Sequence, residues 1–142
     1  MFVLVVGAGR VGSSVATTAL REGHVVSVLD EDPLSHERLD IELGRSWEEA
    51  GGRFTIGTAL ELDALVEAGI DEAQVFIAST NGDNTNLVVS QIAQRRFEVP
   101  RVIARVLDPR RAAWYAEQGV HTICPTQIAI EQLQEAALGQ AS

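Results

Sequence analysis

The chain has 142 residues, 46% of them apolar and distributed along its whole length, which is the size and make-up of one ordinary domain with one core. Twenty acidic against eleven basic residues give a formal charge of −9, a sign that repels nucleic-acid backbones and anionic lipid, and no apolar run reaches the roughly 18 to 20 residues a bilayer crossing needs. The single cysteine, Cys124, excludes a disulfide framework or a thiolate metal cluster and fits a reducing cytoplasm; all eleven basic residues are arginine, so phosphate-loop, Schiff-base and Tyr-x-x-x-Lys lysine chemistry is excluded as well.

Short valine- and isoleucine-rich runs alternate with helix-period segments from end to end, which predicts a Rossmann-type, doubly wound parallel sheet of six strands with helices on both faces, one domain over 1–142. In chain order the reading gives a strand at 2–6, a helix at 10–22, a strand at 24–29, a helix at 34–49, a strand at 53–57 and a helix at 59–68. A strand at 74–79, a helix at 83–97, a strand at 101–106, a helix at 109–118, a strand at 120–124 and a last helix at 126–138 follow. Pro33, Pro109 and Pro125 fall at helix starts, and Gly23, Gly69 and Gly119 just past helix ends. Gly51-Gly52 lies in a connection longer than helix-to-strand links usually are.

The first turn reads Gly7-Ala8-Gly9-Arg10-Val11-Gly12, between a five-residue apolar strand and a helix, and Asp30 follows Gly7 by 23 positions at the end of the second strand. That spacing is the dinucleotide fingerprint: Gly7 for the tight turn, Gly9 for close approach of a diphosphate, Gly12 for helix-to-strand packing, and a carboxylate for the ribose hydroxyls. The charge of Asp30 disfavours a 2′-phosphate, hence NADP; Asp32 is read as a helix start instead of a second ribose acceptor. Val5-Val6 stands where a methyltransferase would carry an acidic residue.

A polar loop, Ala78-Ser79-Thr80-Asn81-Gly82-Asp83-Asn84, closes the fourth strand at the ligand-binding edge of such sheets; it either faces the cofactor or caps the next helix through Thr80, Asn81 or Asp83. Arg105 ends the fifth strand at the same edge, where a guanidinium can meet phosphate. His24, His36 and His121 have no sequence partner that suggests catalysis or metal binding, and no catalytic or metal-ligating residue is assigned.

Together the glycine turn, Leu29-Asp30-Glu31-Asp32-Pro33, Glu67-Ala68-Gly69-Ile70, Ala78-Ser79-Thr80-Asn81 with Asp83 and Asn86, and Ile103-Ala104-Arg105-Val106 with Asp108-Pro109 resemble the N-terminal nucleotide-binding lobe of Trk potassium-uptake regulators, the TrkA-N or RCK domain. The resemblance implies that Gly7, Ala8, Gly9, Arg10, Val11 and Gly12 hold the phosphates and Asp30 the ribose. It implies that Thr80 and Asn81 touch the cofactor and that Arg105 reaches the phosphate region. Thr58 stands, in Gly57-Thr58-Ala59, where many relatives place an aspartate near the adenine. NAD(H) is the expected cofactor. Arg10 matches a position that in some relatives senses the terminal phosphate of ATP across a subunit boundary, which keeps ATP, ADP or AMP as the alternative.

The expected function is regulatory: a cytoplasmic domain, not itself membrane-inserted, that binds a nucleotide and controls potassium transport through a membrane subunit at the inner face of the plasma membrane. The chain ends soon after its last helix, which leaves no room for the C-terminal RCK lobe. The alternatives are a small NAD-dependent oxidoreductase, against which a missing substrate domain and the absent lysine stand, and a nucleotide sensor for a partner other than a channel. The last helix reads as opened by a Thr126 cap, with Ile130, Leu133, Ala137 and Leu138 on one stripe. The stripe packs on the parent sheet or, as the resemblance implies, on a neighbouring subunit in a homodimer or a higher ring assembly.

Overall fold

Strand β1 (Phe2–Val6) is an unbroken apolar run because both of its faces are covered: Val3 and Val5 point into one apolar cluster, Leu4 and Val6 into the other. The computed structural model describes residues 1–139, and 140–142, the end of the span expected to make up the domain, lie outside the described residues. Around β1 are β2 (Val25–Asp30), β3 (Arg53–Ile56), β4 (Val75–Ala78), β5 (Arg101–Arg105) and β6 (His121–Ile123), all parallel, in the order β3-β2-β1-β4-β5-β6. This is the expected doubly wound sheet, and its order reverses between β1 and β4.

The first cluster, beneath helices α1 (Arg10–Arg21) and α2 (Leu34–Leu43), contains Val26, Val28, Leu39 and the fully buried Trp47. The second, beneath α3 (Leu62–Glu67), α4 (Asp83–Arg95) and α5 (Pro109–Glu117), is built on Phe76, Leu65, Ile70, Val89 and Tyr115. Ile70–Glu72 forms a short 3-10 turn between α3 and β4. Gly23, Gly69 and Gly119 take positive φ angles of 90°, 96° and 86°, the left-handed conformation expected just past helix ends. No helix among the described residues is long and apolar enough to cross a membrane.

Most element ends lie within one or two residues of the sequence reading, and three departures have a structural cause. The helix expected over 34–49 stops at Leu43, capped by Gly44 at φ 80°, and the chain turns back so that Trp47 drops into the core. The indole fills the space beside Gly52, where any Cβ would lie 2.3 Å from the ring, and its Nε1 donates to the Arg53 carbonyl at 2.9 Å. Core burial of one large aromatic outweighed the helix propensity of 45–49. The helix expected over 59–68 is only α3, because 57–61 bends into a turn in which the Glu61 N–H donates to the Thr58 carbonyl at 3.2 Å, and 57–60 line a cleft. The last helix, α6 (Pro125–Leu138), is capped by Cys124 and not by Thr126: Pro125 takes the first helical position, and the Gln127 N–H reaches the Cys124 Sγ at 3.4 Å.

Candidate functional site

A cleft of about 650 Å³ opens where the carboxyl ends of β1, β2, β3 and β4 meet, at the point where the strand order reverses. Its walls are the glycine turn (Gly7, Gly9), the end of β2 with the start of α2 (Asp30, Asp32, Ser35, Arg38), the 57–60 edge with Thr58, and the loop after β4 (Ser79, Thr80, Asn81, Gly82).

Each glycine of the turn has its own physical reason. Gly7 has φ +95° and packs so tightly on the β4 loop that a Cβ would stand 2.6 Å from the Thr80 nitrogen. At Gly12 a Cβ would fall 1.9 Å from the Gly7 carbonyl, so helix and turn can touch only without a side chain. Gly9 is different: a Cβ there meets no protein atom within 4 Å, because it faces the open cleft. Gly9 also caps α1 without a side-chain bond, which leaves the first N–H groups and the positive end of a twelve-residue helix directed at that space.

Asp30 ends β2 half-buried, and its carboxylate is already oriented: Oδ2 accepts the Ala8 N–H at 2.7 Å and Oδ1 the Asp32 N–H at 2.8 Å. Two oxygens carry about four acceptor sites, so lone pairs remain for ribose hydroxyls. The same Ala8 peptide is gripped from its other side by Arg38, whose Nη1 donates to the Ala8 carbonyl at 2.6 Å and to the Ser35 Oγ at 3.3 Å. Asp32 accepts the Leu34 N–H at 2.9 Å, the helix-start role expected of it. Arg38 was not singled out in the sequence. The signal for it is the three-residue step from Ser35 to Arg38, which places both on one face of α2, with Arg38 eight residues beyond Asp30.

The β4 loop does not cap α4 with a side chain. Gly82 is the N-cap, and Asp83 instead turns away to accept the Leu107 and Asp108 N–H groups at 2.8 and 3.1 Å, tying α4 to the β5–α5 connection. The buried Asn86 organises the loop. Its Oδ1 accepts from the Thr80 N–H at 3.0 Å and from the Thr80 hydroxyl at 2.6 Å, and its Nδ2 donates to the carbonyls of Thr80 and Arg105 at 3.1 and 2.8 Å.

Thr80 and Asn81 thus stand on the cleft wall, whereas Arg105 lies behind it. Its Nη2 donates to the Thr80 carbonyl at 2.8 Å and to Asn81 Oδ1 at 3.3 Å, and its buried Nε has no partner among the described residues. Ala8 is buried with both backbone groups engaged, Gly12 is buried under the turn, and Arg10 and Val11 are exposed on the first turn of α1 outside the cleft wall. Thr58 reaches the wall from the β3 end and donates to Glu61 Oε1 at 2.8 Å. The site is therefore a pocket of backbone donors with three carboxylates at the end of β2, those of Asp30, Glu31 and Asp32, of which Asp30 is held by two backbone N–H groups, and with the single guanidinium of Arg38 on its wall.

Comparison with known proteins adds the following. The sequence model for the TrkA-N domain matches residues 3–126. A Trk system potassium uptake protein TrkA of Streptomyces coelicolor is 40% identical over 133 residues, covering 94% of this chain and 56% of the relative. One of Mycobacterium tuberculosis is 37% identical over 127 residues, covering 86% and 54%. The chain spans about half the length of these curated relatives. Among solved structures, the Kef CTD of Shewanella denitrificans in an AMP-bound form aligns with a TM-score of 0.78 at 24% identity, over 100% of this chain and 82% of that one. The TrkA-N domain of the Escherichia coli inner membrane protein ybaL aligns at 0.79 and 20% identity, over 95% of each. The GsuK channel bound to NAD aligns at 0.75 and 20% identity, over 94% of this chain and 22% of that one.

Proposed function

The chain belongs to the TrkA-N domain family, and from that premise we propose that it is a regulatory module that binds an adenine nucleotide, NAD(H) before AMP, ADP or ATP, and passes its bound state to a potassium-transporting membrane subunit. The observation that carries the proposal is the cleft itself: the open face of Gly9 at the start of α1, with Asp30 held beside the glycine turn by the Ala8 and Asp32 N–H groups. A diphosphate over Gly9 and a ribose on Asp30 is the arrangement these groups suit. Both NAD and AMP have precedents among proteins of this fold, in the channel and the Kef domain named above.

Within the proposal, Gly7, Gly9 and the first N–H groups of α1, those of Arg10, Val11 and Gly12, hold phosphate. Ala8 serves through its peptide, which Asp30 and Arg38 clamp. Thr58 flanks the base, Thr80 and Asn81 line the far wall, and Arg105 stiffens that wall from behind. The guanidinium of Arg38 adds a cation beside the ribose carboxylate. Binding and transmission are the work of the domain, not turnover.

Transmission needs a subunit contact, and α6 supplies the surface. None of its residues is buried in the chain: Leu133 is 68% and Leu138 71% exposed, with Ile130 on the same stripe, also exposed. A helix presenting such a stripe is stabilised by covering it, and a second copy of this chain, in a homodimer or a ring of dimers, is the proposed cover. The test is calorimetry with NAD+, NADH, NADP+, AMP and ATP, together with light scattering. Micromolar or tighter binding of NAD(H) or AMP, with NADP+ rejected, supports the reading. Absence of binding by every nucleotide, or preference for NADP+, overturns it.

A further inference from the structure

On α2, His36 and Asp40 stand four residues apart and share one face of the helix. The turn after Gly44 returns Glu48 onto that face, and one donor atom from each of the three residues lies within 4.8 Å of the other two. We propose that His36, Asp40 and Glu48 form a binding site for one divalent transition-metal ion of the zinc class, an ion that would clip the 44–52 loop to α2.

Two of the three donors are held in place by their surroundings. The imidazole of His36 stacks on Phe54, ring centroids 5.3 Å apart and planes at 22°, with Nε2 directed at Glu48 at 2.6 and 2.8 Å from its two oxygens. Asp40 spends one oxygen on the Trp47 N–H at 2.8 Å and keeps the other. Trp47 is itself locked, buried and bonded to the Arg53 carbonyl, so Glu48 is carried on a loop whose neighbouring residue cannot move. Contacts of this kind behind the ligands are what orients them in metal sites.

The charge balance asks for a cation. No arginine among the described residues makes an ion pair with Asp40 or Glu48, and the ion-pair partner of Glu48 is His36, through its Nε2 proton. An arriving ion would displace that proton to solvent and take its place between Nε2 and the carboxylates. Metal–nitrogen and metal–oxygen bonds of about 2.0 to 2.2 Å put tetrahedral donors about 3.3 Å apart, so the His36–Glu48 pair, at 2.6 and 2.8 Å, must open while all three donors stay within the 4.8 Å they span, and the exposed Glu48 can adjust by rotamer. Water completes the coordination. One imidazole with two carboxylates suits Zn(II) and its neighbours, whereas Mg²⁺ and Ca²⁺ want oxygen alone.

The experiment is calorimetric titration of EDTA-stripped protein with ZnCl₂, repeated with CaCl₂, and with thermal melts of the wild type and of His36→Gln, Asp40→Asn and Glu48→Gln. Glu48→Gln alters an exposed side chain that retains a hydrogen-bond acceptor, so it stays informative should Asp40→Asn disturb the loop. The expected result is one Zn²⁺ per chain, a melting temperature raised by Zn²⁺ in the wild type alone, and at least tenfold weaker binding in His36→Gln and Glu48→Gln. Three results overturn the assignment: no Zn²⁺ binding up to about 1 mM, undiminished binding in the His36→Gln/Glu48→Gln double variant, or Ca²⁺ binding as tight as Zn²⁺.

Discussion

Replacing Gly9 by alanine separates the ligand from the fold. The added Cβ meets no protein atom within 4 Å, and the residue already has φ −71°, a value alanine adopts freely. Alanine is a poorer N-cap than glycine by up to about 1 kcal/mol, while a stiffer unfolded chain returns roughly 0.4 to 1 kcal/mol, so the net change is within about 0.5 kcal/mol. For a chain of this size that is a melting shift of about 2 °C or less. The methyl group occupies the space in which a diphosphate would approach the α1 N-terminus. Losing two charge-assisted hydrogen bonds of about 1.5 to 3 kcal/mol each weakens binding at least roughly 150-fold. Calorimetry with NAD+ and AMP, paired with melts followed by circular dichroism, reads both effects. If Gly9→Ala melts like the wild type and binds nucleotide equally well, the phosphates do not sit at this turn and the reasoning fails.

Gly12→Ala should do the opposite, lowering the melting temperature by several degrees without any ligand present, since its Cβ would lie 1.9 Å from the Gly7 carbonyl; an unchanged melt would show that helix and turn are not closely packed. Asp30→Ala should weaken NAD(H) by about 10- to 150-fold and reduce discrimination against NADP(H). It should also soften the turn, because the Ala8 and Asp32 N–H groups lose their acceptor; calorimetry showing unaltered affinity and discrimination would refute the ribose role. Leu133→Glu, placed on the exposed stripe of α6, should convert a dimer to monomers in sedimentation velocity with nucleotide affinity retained; a wild type that sediments as a monomer at micromolar concentration refutes the dimer.

The six strands of the parallel sheet were legible because local rules sufficed: apolar strand runs such as Val3, Leu4, Val5 and Val6, glycines at helix ends, and prolines at helix starts all act within a few residues. The glycine turn and Asp30 were legible for the same reason, each being a local shape requirement at a fixed spacing. What escaped the sequence reading was decided at a distance. The end of α2 depends on Trp47 finding a cavity beneath Gly52. His36 reads as an isolated histidine until the turn at Gly44 brings Glu48 back to it. Arg105 points to phosphate in sequence, but its guanidinium is taken up by the Thr80 carbonyl 25 residues away.

Asn86 gives the cleft a mechanical property. Its amide is saturated, with two donors received and two donated, joining the Thr80 peptide on the ligand side to the Arg105 carbonyl at the end of β5. A buried amide in this state has no slack, because every small displacement of Thr80 lengthens a bond that water cannot replace. A nucleotide that moves the 80–82 loop must therefore rupture that junction or drag the end of β5 with it. From Arg105 the chain runs through α5 and β6 to α6. The asparagine is thus a rigid coupling rod, joining the β4 loop, on which Gly7 packs, to the end of β5 and so to the part of the chain that leads to the exposed helix.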